Sequence, residues 1–341
     1  MQQPPLPERR PGRRRGIRSP RVGALPAVVM ALVLAACAGA PDPNPPDETA
    51  SAAATPRADI AGTFDIGDGR RMYLECRGSG APTVILISGQ RGSAADWSIT
   101  VNDDEPVPVF AQLAEQTRVC AYDRPGTPVG DSFSRSDPAP QPTTAGAMVD
   151  DLRALLRSAG ETGPFVLVGH SAGGLAARLY AADHPAEVSG LVLVDALSPG
   201  LQDAETPEQW TIQLQLLAGD IAESLIEYPD LEQVDVTGSF AQVRAAPPLP
   251  ALPLSVISAG RSLAPVVAEL VASGAFPPEV PADFGSVVDA AQAESQAGLA
   301  RLAPGAEHLT HTNSGHNVHQ EQPVLVADAI LRVVDRVREH T

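Results

Sequence analysis

The chain has 341 residues, is 43% hydrophobic but only 4% aromatic, and holds 29 glycines and 34 prolines. That is enough for one large domain whose core is filled by Ala, Val and Leu between many turns. The formal charge is −17 and all 24 basic residues are arginine, which excludes nucleic acid as a partner and disfavours anionic substrates.

The chain opens with a basic stretch, Arg9, Arg10, Arg13, Arg14, Arg15, Arg18 and Arg21, followed by an apolar run from Val22 to Ala36. The run is shorter than the roughly 20 residues of a membrane span but has the length of a signal-peptide core. Leu34-Ala35-Ala36-Cys37 looks like a bacterial lipobox. That resemblance implies cleavage before Cys37, lipidation of its thiol and attachment of the exported protein to the membrane surface. Plain secretion and a retained anchor helix are the alternatives, and the leader is a poor twin-arginine signal. Residues 37–59 are mostly Pro, Ala, Asp and Thr with almost nothing to bury, and are expected to be a disordered tether. The organisation read from the sequence is therefore a lipoprotein-type signal peptide over 1–36, a tether over 37–59 and one domain over 60–341.

Within that domain short apolar runs alternate with helical patterns, the signature of βαβ units and a mostly parallel sheet. Strands are expected at Arg71 to Arg77, Thr83 to Ile87, Arg118 to Tyr122, Phe165 to Val168, Gly190 to Val194, Leu254 to Ser258 and Glu307 to Thr312. Between Thr143 and Ala159, Met148, Leu152, Leu155 and Leu156 recur at helical spacing, with Thr143 or Thr144 to cap the start and Gly160 to close the end. A last helix begins near Pro323 and presents Ala327, Ile330, Leu331 and Val334 on one face. Residues 197–250 carry Ile212, Leu214, Leu216, Leu217, Ile221, Leu225 and Ile226 in a polar setting, and read as a small helical cap over a pocket or as a helix on the sheet.

The chemistry centres on Gly169-His170-Ser171-Ala172-Gly173, placed directly after the strand that ends at Val168 and before a helical run from Leu175 to Ala182. A serine in a tight strand-to-helix turn needs small neighbours, because flanking side chains would collide with backbone. A serine hydroxyl is a weak nucleophile at neutral pH and needs a base, most commonly histidine. Of the seven histidines, His316 lies in a loop between the last strand and the last helix. His319 is the second choice. His308 and His311 fall in a strand, His184 ends a helix, His340 lies in the tail, and His170 is expected to point away from Ser171. The third group orients the base. Asp195 ends the strand Gly190 to Val194 and is the first choice, with Glu269, Asp283 and Asp289 as alternatives; its other reading is a helix cap.

Together these motifs resemble the α/β-hydrolase superfamily over about residues 60 to 338. The resemblance implies an α/β-hydrolase fold, a mostly parallel central sheet flanked by helices with a small helical cap insert. It also implies a serine hydrolase in which Ser171, Asp195 and His316 form the triad in the family's chain order. Ser88-Gly89-Gln90-Arg91-Gly92 looks like the family's His-Gly-x-Gly loop with Ser88 in the first place. By that likeness the backbone N–H groups of Gln90 and Ala172 form the oxyanion hole, unless the loop is a plain tight turn. Trp97 lines the pocket or packs. The stretch Val119 to Gly126 resembles another superfamily strand and turn, in which Asp123 and Arg124 pair with each other's neighbours. Cys76 and Cys120 lie on strands that the family pairs side by side, so that after export they are a disulfide or two inert buried thiols.

The leading expectation is hydrolysis of a small acyl ester through an acyl-enzyme, with no cofactor and no metal; the sequence sets no oligomeric state. Thioesterase, peptidase, lyase and acyltransferase activities use the same fold. A different class of reading is a binding protein that keeps the fold without turnover, and a third is a surface interaction protein.

Overall fold

The computed structural model describes residues 57–340, apart from 131, 220, 275, 277 and 278. The leader, Cys37 and nearly all of the expected tether lie outside these residues. The tether's last residues are already attached to the body. Arg57 donates to Glu161 Oε2 at 2.8 Å, and Asp59 accepts from the Gly78 N–H at 3.1 Å, so ordered contacts begin before Ile60.

Eight strands form one sheet: β1 (Ile60–Gly67), β2 (Arg70–Arg77), β3 (Thr83–Ile87), β4 (Val119–Tyr122), β5 (Phe165–His170), β6 (Val188–Val194), β7 (Leu254–Ile257) and β8 (Glu307–Leu309). Their order is β1-β2-β4-β3-β5-β6-β7-β8. From β4 to β8 all pairs are parallel, whereas β2 runs antiparallel to both β1 and β4. β1 is an addition to the strands expected from the sequence. Its residues alternate between half-buried and exposed, and Gly67, Asp68 and Gly69 all take positive φ in the turn to β2, the backbone that tight hairpins use.

Strands β3, β4 and β5 are buried along their whole length, as expected where helices cover both faces of a parallel sheet. The helices are α1 (Val109–Ala114), α2 (Ala145–Ser158), α3 (Gly173–Asp183), α4 (Pro199–Asp203), α5 (Pro207–Ala218), α6 (Ala222–Glu227), α7 (Val236–Ala245), α8 (Ala264–Ala272), α9 (Phe284–Ala300), α10 (Val318–Glu321) and α11 (Pro323–Arg338). Alternate strand residues separate two cores. Ile85, Ile87, Leu167, Leu191 and Leu193 pack with Leu152 of α2 and Leu175 of α3, while Val84, Leu86, Val166, Val168 and Val192 pack with Phe110 of α1 and Ile330 of α11. α2 is capped as its sequence suggests, with Thr144 Oγ1 accepting from the Ala147 N–H and Gly160 at φ +74°. Cys76 on β2 stands directly opposite Cys120 on β4, and the two form a disulfide.

Helices α4 to α7 follow β6 and occupy the expected cap segment, but they do not cover the cleft alone. A separate small core joins Val267 of α8 and Phe284 and Val288 of α9 to Ile212 and Leu216 of α5. The cover is thus assembled from two chain segments, one after β6 and one after β7. Among the described residues no helix is long and apolar enough to cross a membrane.

Candidate active site

At the end of β5 the chain turns sharply, and Ser171 takes φ +53°, a left-handed conformation that costs a non-glycine residue of order 1–3 kcal/mol. The turn exists because its neighbours lack side chains. A Cβ on Gly169 would come within 2.7 Å of Gly173 O, one on Gly173 within 2.4 Å of Ile87 O, and one on Gly174 within 2.4 Å of Ala196 Cβ. Backbone bonds then fix the serine to β6, with the Ser171 N–H donating to Val194 O at 3.1 Å and the Leu197 N–H to Ser171 O at 2.9 Å.

Asp195 follows β6 at φ +39° and is 4% exposed. Its Oδ1 accepts from the Ala259 N–H at 3.0 Å and from Gln292 Nε2 at 3.2 Å, and its Oδ2 lies 2.6 Å from His316 Nδ1. A carboxylate at this site accepts, so the ring proton sits on Nδ1 and Nε2 keeps its lone pair. The His316 loop is held from several sides. Thr312 Oγ1 donates to Ser258 O at 2.8 Å, the Gly260 N–H donates to Ser314 O at 2.9 Å, and Glu321 Oε1 accepts from the Gly315 N–H at 3.1 Å. The last strand therefore ends at Leu309 rather than Thr312, because the chain bends through Asn313 at φ +51° to deliver His316. Among the described residues Ser171 Oγ makes no hydrogen bond to His316; the two groups face one cleft, and such pairs commonly tighten only around substrate.

The loop after β3 supplies the facing wall. The backbone N–H groups of Gln90 and Ala172 have no acceptor among the described residues, and both residues border the same cavity as Ser171. Gly92 is required in the loop, since a Cβ there would lie 2.5 Å from Ser88 Cβ. Arg91, at φ +60°, donates its backbone N–H to Glu232 Oε2 at 2.9 Å and its Nε to Glu232 O at 3.1 Å. Glu232 is fully buried and also accepts both Arg124 Nε and Nη2, at 2.7 and 2.6 Å. One carboxylate thus joins the loop, the end of β4 and the chain between α6 and α7. Asp123 pairs with Arg135 at 2.6 Å and accepts from the Ala94 N–H at 2.9 Å, so Asp123 and Arg124 are both engaged in buried contacts, but with the distant Arg135 and Glu232 rather than with each other's neighbours.

Two adjoining cavities share Ser171, Leu197, Leu217 and His316. The first, of about 530 Å³, runs under the cover between Leu201, Leu263, Val288 and Gln292. The second, of about 480 Å³, is bordered by Gln90, Arg91, Asp96, His170 and Asn317. Each lies in the size range of a small-molecule site, and the two open on either hand of Ser171.

The family model for the alpha/beta hydrolase family matches residues 84–329. The chain belongs to the alpha/beta hydrolase family. Among similar sequences, an uncharacterized protein of Schizosaccharomyces pombe is 33% identical over 145 residues, 37% of this chain and 26% of that protein. The uncharacterized protein YqjL of Bacillus subtilis is 23% identical over 274 residues, 78% of this chain and 89% of its own length. RutD of Klebsiella pneumoniae, a candidate carbamate hydrolase, is 35% identical over 123 residues, 35% of this chain and 41% of RutD. The chain thus spans only about a quarter of the first of these relatives and two-fifths of the third. Among solved structures, a candidate lipase of Acinetobacter baumannii superposes with a TM-score of 0.53 at 19% identity, covering 83% of this chain and 93% of that one. At that identity the likeness concerns the fold.

Within this alpha/beta hydrolase, Ser171, Asp195, His316, Gln90 and Ala172 come together at one cleft, as the sequence suggests. Among the described residues no hydrogen bond or ion pair joins the alternative acids to His316, whose carboxylate partner is Asp195. Asp289 accepts from Ser262 Oγ and the Leu263 N–H, Asp283 stands at the start of α9 and Glu269 lies on α8. His319 is 2% exposed, and among the described residues both its ring nitrogens are unpartnered; burial first, then the nearby His316, pushes it down to about 3. The expectation for His170 needs correction. Its ring does not leave the site but borders the Ser171 cavity and packs against His316, with centroids 4.7 Å apart and the ring planes tilted by 43°. Gln292, Glu232 and Gly174 escaped sequence reasoning. Gly174 alone left a signal, as a second glycine directly after the motif.

Proposed function

We propose that the protein is a serine hydrolase that cleaves a carboxylic ester through an acyl-enzyme. Ser171 attacks the carbonyl, His316 takes its proton at Nε2 and later returns it to the leaving alcohol, and Asp195 holds the imidazole in the required tautomer and orientation. The N–H groups of Gln90 and Ala172 receive the developing oxyanion. Water then adds to the acyl group with His316 again as base. The observation that carries the reading is the 2.6 Å contact between Asp195 Oδ2 and His316 Nδ1 beside a serine held at φ +53°. The local likeness to RutD adds carbamates to the substrates worth trying, since they meet the same nucleophile and oxyanion groups. The reading includes export and lipidation at Cys37, for which a Cys37→Ser variant that stays membrane-bound would be contrary evidence.

The test is turnover of p-nitrophenyl acyl esters of several chain lengths by the purified domain, beside Ser171→Ala and Asp195→Asn. Ser171→Ala should lose turnover and fluorophosphonate labelling, and Asp195→Asn should lower kcat by roughly 10³ to 10⁴-fold. Wild-type protein that neither labels nor turns over any ester or carbamate would instead favour a binding protein on this fold.

A further inference from the structure

Behind the cleft four aromatic rings form a column. Ring centroids are 4.5 Å apart for Trp97 and His319, 4.5 Å for His319 and His170, and 4.7 Å for His170 and His316. At one end Trp97 Nε1 donates to Ser88 Oγ at 2.9 Å, and that hydroxyl donates to Ser93 O at 2.8 Å. The column is therefore fastened to the loop that carries Gln90. At the other end His170 Nε2 lies 3.0 Å from the backbone carbonyl of His316. A carbonyl only accepts, so Nε2 carries the His170 proton and Nδ1 is bare. The bare nitrogen faces the nucleophile's turn: it and Ser171 Oγ lie 3.3 and 3.4 Å from the point where a side chain on Gly89 would begin.

We propose that His170 is a positioning residue for the base, its Nε2–H bond to the His316 carbonyl and its ring contact together holding the His316 imidazole between Asp195 and Ser171. The inference rests on the reading of Ser171 as nucleophile and His316 as base. Asp195 grips one edge of a His316 ring whose side chain is 48% exposed, so a single hydrogen bond would leave it free to pivot. The backbone anchor from His170 and its tilted ring packed against the imidazole remove that freedom, and small errors in such geometry cost rate steeply. His319 backs His170 by ring contact alone, tilted by 54° against it, since among the described residues neither of its ring nitrogens has a partner. Both supporting imidazoles stay uncharged near neutrality. Burial, followed by the neighbouring His319 and His316, holds His170 well below the usual histidine range. An uncharged column adds no repulsion when His316 becomes cationic during acyl transfer.

The test compares His170→Phe, which keeps a ring and loses the donor, with His170→Gln, whose amide nitrogen can replace Nε2. Ester turnover by His170→Phe should show kcat lowered about tenfold with KM little changed, and His170→Gln should recover most of it. The downfield proton resonance of His316 Nδ1–H should be sharp in the wild type and in His170→Gln and broadened in His170→Phe. Wild-type kcat in His170→Phe, with Ser171→Ala inactive, overturns the positioning role and leaves the nucleophile in place. Equal losses in both variants with a raised KM reduce His170 to packing and overturn it equally. Full activity in Ser171→Ala instead overturns the reading beneath it. If His170→Phe does not fold, His170→Asn, too short to reach the carbonyl, takes its place with the same outcomes.

Discussion

The floor and the roof of the cleft are built by different means. The floor is backbone: Ser171 and Asp195 sit at positive φ directly after β5 and β6, Asn313 does so in the loop after β8, and the serine's turn is wedged by glycines that tolerate no side chain. The roof is side chain: α5, α8 and α9 meet through Ile212, Leu216, Val267, Phe284 and Val288. Backbone constraints leave little room for drift, which suits groups that must meet within tenths of an ångström. Side-chain packing tolerates substitution if volume is kept, which suits a surface that would tune which molecules the cleft admits.

Glu232 joins the two, and its removal should have the largest effect. Glu232→Ala strands a buried Arg124, 1% exposed, and strips partners from the Arg91 N–H and Thr143 Oγ1. Breaking one side of a buried pair costs about 3–5 kcal/mol, so urea denaturation should show a loss of that size. Turnover should fall with it as the Gln90 loop loosens. A variant of unchanged stability and rate would show that floor and roof are independent.

A smaller change confined to the floor is Gly173→Ala, whose new methyl would press 2.4 Å from Ile87 O and 2.6 Å from Ser88 O. Overpacking against backbone costs about 1–3 kcal/mol. Here it also displaces the serine, so turnover should fall about a hundredfold while circular dichroism stays native-like. Activity near wild type would mean that the floor yields as readily as the roof.

That division also decides what the sequence made legible. Local, backbone-driven features were readable: Gly169-His170-Ser171-Ala172-Gly173 needs small residues wherever it occurs, Asp195 closes a strand, and His316 follows the last one. Pairings between distant segments were not. Arg124 and Glu232 stand 108 residues apart and Gln292 meets Asp195 from 97 residues away, and nothing in local periodicity announces such partners. The share of the roof taken by α8 and α9 was hidden for the same reason, since an amphipathic helix does not say which neighbour it covers. β1 was legible in principle, from its alternation and the Gly-Asp-Gly turn. His170 was read as pointing away because its place in the turn fixes its backbone but not what its ring meets.

A roof substitution should change selectivity without touching the floor. Leu217 borders both cavities, and Leu217→Phe narrows each. Discrimination of one or two methylenes in an apolar pocket is worth roughly tenfold or somewhat more. The ratio of kcat/KM for long over short acyl esters should fall by about that factor, with fluorophosphonate labelling of Ser171 retained. An unaltered chain-length profile would remove Leu217 from the selecting surface.

The smallest effect is expected where the roof begins, at Glu205 between α4 and α5. Among the described residues neither carboxylate oxygen has a partner, and burial raises the group from 4.5 to about 7. A carboxyl whose folded value lies above its unfolded one binds its proton more tightly in the folded state, so folding is penalised only when the proton is lost. The penalty is absent below about pH 4.5, grows as pH rises toward 7 and is constant above it. Because the residue is partly open to solvent, the penalty should be no more than about 1 kcal/mol. Glu205→Gln should therefore raise Tm by a few degrees at pH 8 and leave it unchanged near pH 4.5. A gain of equal size at both pH values would attribute the effect to packing rather than to charge.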